Sequence, residues 1–465
     1  MFTKMRLVNF KAWKDTDEIR LAPLTVFFGG NSSGKTSLLQ ALLVLKQTAE
    51  SPDRSRVLHP GDGESTPVDL GTTTDLVFER DESRALYFYL EWQLLAGLTA
   101  VDVYSQQSYR GSHLDFEVTV DHSGGRPVVV DMNYRLGDED GCTLEVGLER
   151  STEKGAVGAY TLTADEERFK PVRASGRPWP LATPTRFYGF PDAAVAYYQN
   201  TGFLPDLVLA LEQQLGRIAY LGPLRGYPKR LYAWSGEEPS HVGWRGERTV
   251  EAMLAAQGRS ISPGSRKRYR PFAEVVASWL VKLGLLAEFE VRPIAPGRKE
   301  HEVVIRTVPD GPQVNLTDVG FGVSQFLPVI VELFYAPPGS TIILEQPEIH
   351  LHPRVQSIMA DLFIEAIRAR EDGKDRGIQL IVESHSEHFL RRLQRRIAEE
   401  ALAPDDVALY FAEAGEEGEG STLSELEVDE YGNIANWPEG FFGDEMEDMI
   451  ALTEAAMQRM QGGDE

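Results

Sequence analysis

Residues 29–36 read Gly-Gly-Asn-Ser-Ser-Gly-Lys-Thr, and few stretches of this length restrict a fold so tightly. They satisfy the pattern G-x-x-x-x-G-K-[ST], which requires a strand before it and a helix after it. Both flanks agree. Leu24-Thr-Val-Phe-Phe28 is a short apolar run suited to a buried strand, and Leu38 to Leu45 continues at helical spacing. Glycines allow backbone N–H groups to turn inward around phosphates, and the following helix adds its positive end. Lys35 would reach the outer phosphates as a point charge, and the Thr36 hydroxyl would ligate Mg2+. Gly29, Gly30, Asn31, Ser32, Ser33, Gly34, Lys35, Thr36 and Ser37 are therefore the expected nucleotide-binding set.

A phosphate loop needs an acidic partner, and the chain supplies one far away. Thr341-Ile-Ile-Leu-Glu345-Gln346-Pro-Glu348 is an apolar strand ending in carboxylates, as holding Mg2+ beside a triphosphate requires. Glu345 lies 309 positions beyond Thr36 (345 minus 36), so a long insertion must split the site. Upstream, Asp318-Val-Gly320-Phe-Gly322-Val-Ser324-Gln325 leads into the apolar run Phe326–Phe334. A Gly/Ser-rich entry to a helix makes a second anion site. One triphosphate rarely needs two such sites from one chain, whereas two facing chains do. Downstream, a strand ending at Val382 leads to Glu383-Ser384-His385, where a histidine can reach the terminal phosphate.

Composition narrows the setting. The 465 residues suffice for two or three structural units. Cys142, the single cysteine, rules out an internal disulfide. No run of eighteen apolar residues occurs, so a cytoplasmic protein that does not span a membrane is expected. Net charge is −24, from 71 acidic against 47 basic residues, a field that repels nucleic acid except at local patches. Two such patches are Ser265–Arg270 and Arg391–Arg396, and a solvated surface is the simpler reading of each.

Between the two motifs, residues 51–68 read as an irregular connection and 84–165 as antiparallel β. Helical periodicity returns at Leu204–Arg217, Glu247–Ala256 and Phe272–Leu286. A hairpin is expected around Val303–Arg306 and Val314–Leu316, and a helix near Arg354–Arg370 between strands Thr341–Leu344 and Gln379–Val382. The acidic, Gly-rich stretch Ala412–Gly420 reads as a loop. Sustained heptads are absent, which leaves no room for a long coiled-coil arm.

The order of phosphate loop, glycine-serine helix entry, acidic strand end and strand-terminal histidine resembles the ABC-type AAA ATPase heads of RecF, SMC and overcoming-lysogenization-defect proteins. Met5-Arg-Leu-Val-Asn-Phe10 looks like their opening strand, and Glu345-Gln-Pro-Glu-Ile-His-Leu-His-Pro353 like their acidic strand with its Leu-His-Pro continuation. Tyr220-Leu-Gly-Pro-Leu-Arg225 and Trp437-Pro-Glu-Gly-Phe-Phe-Gly-Asp444 are similar to a bacterial subfamily ending in a domain of unknown function with Trp-Pro-x-Gly-Phe-Phe. The resemblance implies an α/β head with a mixed sheet plus a β-rich and helical insertion. The expected domains are residues 1–80 and 316–411 as the two halves of the head, 81–315 as the insertion, and 412–465 as a small C-terminal domain.

By position, the resemblance implies ATP and Mg2+ as cofactors and Thr36 and Glu345 as metal-associated residues. It implies Gly322, Ser324 and Gln325 as contacts to the nucleotide of a second copy, and His385 as the switch histidine. Such heads place a glutamate directly after the metal-associated acid to polarise the attacking water, and here that position is Gln346. Glutamine orients water but accepts no proton; Glu348 substitutes for it, or turnover is slow. The implied activity is an ATP-gated homo-oligomer, a dimer or higher, that signals to a separate effector in anti-phage defence. Direct DNA binding of RecF character and a nucleotide-binding scaffold with little hydrolysis are the competing expectations. The tail after His385 shows no pair of metal-binding acidic strands, so a fused toprim nuclease is not expected.

Two other groups invite a reading. Glu348, His350 and His352 would share a face of extended chain, as metal ligands do, but the Leu-His-Pro match accounts for them without a metal. Trp437–Asp444 mixes aromatics with Gly and Pro and is expected as a packed turn.

Overall fold

In the computed structural model the described residues are 1–441, apart from 123–125, 152–157, 177–178, 417 and 439–440, together with Thr453. The apolar run before the phosphate loop becomes the strand Leu24–Gly29, buried from Leu24 to Phe28. It sits inside a six-stranded sheet ordered Ile218–Leu221, Thr341–Glu345, Gln379–Glu383, Leu24–Gly29, Val407–Glu413 and Thr422–Glu425. The first five strands run parallel and the last antiparallel. The fold is thus α/β with a mixed sheet.

Strands covered on both faces read as near-continuous apolar runs, and successive side chains go to opposite sides. The sheet follows that rule and separates two cores. Leu24, Val26, Phe28, Ile342, Leu344, Leu380, Val382, Leu409 and Phe411 face one. Phe27, Ile343, Ile381, Ala408 and Tyr410 face the other. The helix Lys35–Glu50 packs into the second core through Leu38, Leu39, Leu42 and Leu45. The helices Phe321–Tyr335, Pro353–Arg368 and Glu387–Ala398 fill the first.

The antiparallel expectation for 84–165 is met by the strands Leu86–Asp102, Gln107–Asp121, Val128–Asp138, Gly141–Arg150 and Tyr160–Ala164. Their sheet has eight strands because it also takes in the N-terminal segment. Strand Phe2–Phe10 pairs with Leu86–Asp102, with Arg6 opposite Tyr89 and Val8 opposite Tyr87. Residues on either side of position 80 therefore share one sheet. Strand Ile218–Leu221, within the 81–315 stretch, likewise forms the edge of the central sheet.

Gln379 joins the two sheets. Fully buried at the start of strand Gln379–Glu383, it donates to the carbonyls of Phe2 and Ala22 and accepts from the Phe2 N–H and the Thr341 hydroxyl. A buried amide with all these groups paired costs no unmet hydrogen bond and fixes which strands meet. The hairpin Glu300–Arg306 with Val314–Asn315 forms as expected. The strand Val407–Glu413 extends two residues into the stretch expected as loop.

Candidate functional site

In open parallel sheets ligands bind beyond the carboxyl ends of the strands. Gly29, Glu345 and Glu383 end three adjacent strands of the central sheet.

The loop 30–34 is shaped by backbone that only small residues tolerate. Gly29 has φ +141°, and a Cβ there would lie 2.1 Å from the Ala412 carbonyl oxygen. Gly34 has φ +88°, with the Trp13 ring at 3.1 Å from a Cβ position. The Trp13 indole N–H donates to the Gly34 carbonyl at 3.1 Å. Lys35 is 3% exposed, and its ammonium donates to the carbonyls of Gly29 (3.1 Å) and Gly30 (2.5 Å) and to Ser33 Oγ (3.3 Å). Burial draws its pKa below the usual lysine range, and the carboxylates of Glu383 and Glu348 oppose that shift. Ser33 Oγ donates to the Gly30 carbonyl, while Gly30, Asn31 and Ser32 are exposed. Ser37 is buried in the first helical turn.

Thr36 meets the distal half directly. Its hydroxyl donates to Glu383 Oε2 at 2.8 Å, joining residues 347 positions apart. Glu345 stands opposite Glu383 in the parallel register. Both carboxylates leave the sheet on the side of Ile343, Ile381 and the phosphate-loop helix, because residues two apart on a strand share a face. Glu345 is buried, accepts a hydrogen bond from the Tyr220 side chain, and keeps Oε1 without a donor. Burial, then the neighbouring Glu383 charge, pushes its pKa up to about 7. Gln346 has φ +42° and donates its carboxamide to Glu383 Oε1 at 3.1 Å.

Glu348 is tied into the structure. It accepts from Ser384 Oγ at 2.9 Å and from the His385 N–H at 2.6 Å, and burial raises its pKa. Beside it the Arg225 guanidinium is buried, with Nη2 donating to the Glu345 carbonyl at 3.4 Å while Nε and Nη1 lack partners. Burial draws Arg225 down to about 10, against the attraction of Glu348. His385 is half-buried and hydrogen-bonded to the Gly29 backbone. Burial and the nearby Lys35 lower its pKa, which favours neutral imidazole.

The structure thus brings together the phosphate loop, Glu345, Gln346, Glu348 and His385, separated by more than 300 residues in the chain. Ser324 and Gln325 lie elsewhere on the first turns of the helix Phe321–Tyr335. Both are buried, Ser324 at 7% exposure, and Gln325 reaches the Arg225 carbonyl at 3.5 Å. Ser324 lines a cleft of about 250 Å3 with Tyr227, Tyr232 and Leu327 of its own chain. Gly322 is half-buried against the His350 carbonyl.

Glu383 was not assigned a role from the sequence, and Tyr220 and Arg225 were noted there only within a motif similar to a bacterial subfamily, outside the expected site set. The signal for Glu383 was its equal standing with Glu345, each the last residue of a five-residue apolar strand.

The extended segment expected through Glu348, His350 and His352 is instead a pair of turns. Ile349 N–H bonds the Gln346 carbonyl, Leu351 N–H bonds the Glu348 carbonyl, and His350 has φ +63°. His352 caps the next helix by accepting from the Arg354 N–H. Among the described residues no three His, Cys, Asp or Glu converge on one point. The residues fit Mg2+ all the same. This ion takes one or two carboxylates and completes its shell with phosphate oxygens and water. The unpartnered Glu345 oxygen beside Thr36 and Glu383 is such a donor set.

The basic stretch Arg391–Arg396 is neutralised. Arg392 and Arg396 both pair with Asp361, Arg391 with Glu387, and Arg395 with Glu399. Arg266, Lys267 and Arg268 remain exposed. In the C-terminal aromatic segment Phe441 is buried and packs edge-on against Phe28 and Phe411 and beside Trp437. Glu439, Gly440 and Phe442–Asp444 of that segment lie outside the described residues. No described helix is long and apolar enough to cross a membrane.

Three family models match parts of the chain. Residues 1–139 match "AAA ATPase domain", 207–391 match "AAA domain, putative AbiEii toxin, Type IV TA system", and 402–452 match "Protein of unknown function (DUF3696)". No curated protein is a significant sequence match. Among solved structures the chain is similar to the SMC head domain from Thermotoga maritima (12% identity, 92% of this chain and 99% of that one, TM-score 0.41). It is also similar to an Smc head bound to the C-winged helix domain of ScpA (13%, 92% and 98%, TM-score 0.47). A third is an Smc head with an extended coiled coil bound to the C-terminal domain of ScpA, derived from Pyrococcus furiosus (10%, 92% and 96%, TM-score 0.44). At these TM-scores the fold is better read from the chain's own strand order. The segments that match the two AAA models contribute the phosphate loop and the acidic strand end to one sheet, so the two matched regions, distant in sequence, meet at one site.

Proposed function

We propose that the chain binds Mg·ATP and hydrolyses it slowly, as a nucleotide-gated dimer of ABC type that signals to a separate effector protein. The observation that carries the reading is the convergence of Lys35, Thr36, Glu345 and His385 at the carboxyl ends of adjacent parallel strands. Backbone N–H groups of Gly30–Thr36 and the helix N-terminus would hold the phosphates, and Lys35 would exchange its loop carbonyls for phosphate oxygens. Thr36 and Glu345 would hold Mg2+, which when bound neutralises charge on the phosphates. His385 donates to the Gly29 backbone, and to reach the terminal phosphate as a donor its ring would have to give up that bond or take a second proton.

Slow turnover follows from the position after Glu345. Gln346 offers an amide that is already committed to Glu383, and Glu348 spends one oxygen on both Ser384 and His385, which leaves only its buried Oε2 to accept a proton. A general base must be free to take a proton from water.

In the dimer reading, Gly322, Ser324 and Gln325 cap the partner's nucleotide. Ser324 is buried and lines a cleft of its own chain with Tyr227 and Tyr232, so capping requires that this cleft open. The matched family described as a toxin of a type IV toxin–antitoxin system supports a role in defence. The exposed run Arg266–Arg268 favours a second reading, direct nucleic-acid contact of RecF character.

The test is mass measurement and phosphate release on the purified full chain, with and without ATP. The reading expects a doubling of mass that ATP promotes and turnover that is slow until a partner is added. A monomer at every ATP concentration contradicts the dimer, and ATP-dependent, salt-sensitive DNA binding favours the second reading.

A further inference from the structure

We infer that Glu383 is the second acidic group of the Mg·nucleotide site, acting on the cation through Thr36, and that Gln346 is retained to hold Glu383 in place. The inference rests on the ATP-binding reading and deepens it.

Glu345 and Glu383 face each other in register at the ends of neighbouring parallel strands, which run about 4.8 Å apart. Both point to the side occupied by the phosphate-loop helix. Two carboxylates so placed, one with a buried oxygen that has no donor, make a site that a cation would balance. The donors that reach Glu383 are neutral, the Thr36 hydroxyl at 2.8 Å and the Gln346 carboxamide at 3.1 Å.

The Thr36 bond has a direction. By donating its proton to Glu383, the hydroxyl keeps its lone pairs free of that carboxylate, as a metal ligand needs. A carboxylate accepting from a ligand also raises that ligand's basicity. Glu383 is therefore a positioning residue.

Gln346 then has a reason to be glutamine. It donates to the Glu383 oxygen that Thr36 does not use, and a glutamate there would set a third carboxylate against the pair.

Titration calorimetry of ATP into the full chain, in Mg2+ and in EDTA, tests this. The wild type should bind ATP more tightly in Mg2+ than in EDTA. Glu383→Gln should lose that Mg2+-dependent gain by about tenfold or more, with affinity in EDTA unchanged or increased. Glu383→Asp should recover part of the gain. Thr36→Val should show the same loss, and the double variant should lose no more than either single one, as expected of residues acting in one path. The inference is overturned if Glu383→Gln keeps the full gain, or loses affinity equally in both media. If the wild type itself binds ATP in neither medium, the nucleotide reading falls first and takes this inference with it. Should Glu383→Gln fail to fold, Glu383→Asp and Thr36→Val decide: an undiminished Mg2+ gain in both overturns the inference.

Discussion

Gln346 and Glu383, on consecutive turns out of neighbouring strands, are joined twice: the Gln346 N–H bonds the Glu383 carbonyl at 2.9 Å, and its carboxamide bonds the Glu383 carboxylate at 3.1 Å. ABC-type heads would place the water-polarising glutamate at this position, so restoring it is an obvious experiment. The structure argues that it will not help. A carboxylate at position 346 would face Glu383 and, one register position away, Glu345, and like charges at that range raise each other's pKa. Gln346→Glu is expected to leave steady-state ATP turnover unchanged or lower at pH 7. A tenfold rise in phosphate release would contradict this.

Glu348 serves as a strut. Removing its carboxylate strands the Ser384 hydroxyl, the His385 N–H and the buried Arg225 guanidinium. Glu348→Ala should cost about 3 kcal/mol of stability, and Glu348→Gln, which keeps an acceptor, clearly less. Urea midpoints of the two variants check the order, and equal losses would show that the hydrogen bonds to Ser384 and His385 are not what matters.

Much of this site was legible before the structure. The phosphate loop is a local object, with strand, turn and helix contiguous, and Glu345 announces itself as an acid closing an apolar run. Glu383 closes an equally apolar run, yet only the parallel register sets it beside Glu345 and Thr36. Register is a long-range property. The same is true of the first strand, which joins the antiparallel sheet by pairing with Leu86–Asp102 and is tied to the central sheet through Gln379. The Glu348–His352 stretch misled because its period of two looks extended, whereas local hydrogen bonds from Ile349 and Leu351 fold it into turns. Phe441 ties the C-terminal aromatic motif to the central sheet: it packs on Phe28, the residue just before the phosphate loop.

A pH effect lies away from the site. Glu332, in the helix Phe321–Tyr335, is 1% exposed. One of its oxygens accepts from the Val242 N–H at 2.7 Å and the other has no donor. Burial pushes its pKa from the ordinary 4.5 to about 7. A carboxyl raised in the folded state contributes stability that is fully present below 4.5 and is lost as pH rises through about 7. The span corresponds to about 3 kcal/mol. Glu332→Gln, neutral at every pH, should melt close to the parent near pH 5 and above it near pH 8. A difference in melting temperature that stays constant across that range would contradict the assignment.

Most directly, the account depends on Lys35 gripping a triphosphate that the distal strands complete. Calorimetric titration of ATP into the Lys35→Ala variant, with folding verified by its melting curve, measures that dependence. The account predicts at least a tenfold loss of ATP affinity relative to the unmodified chain; affinity equal to that of the unmodified chain would contradict it.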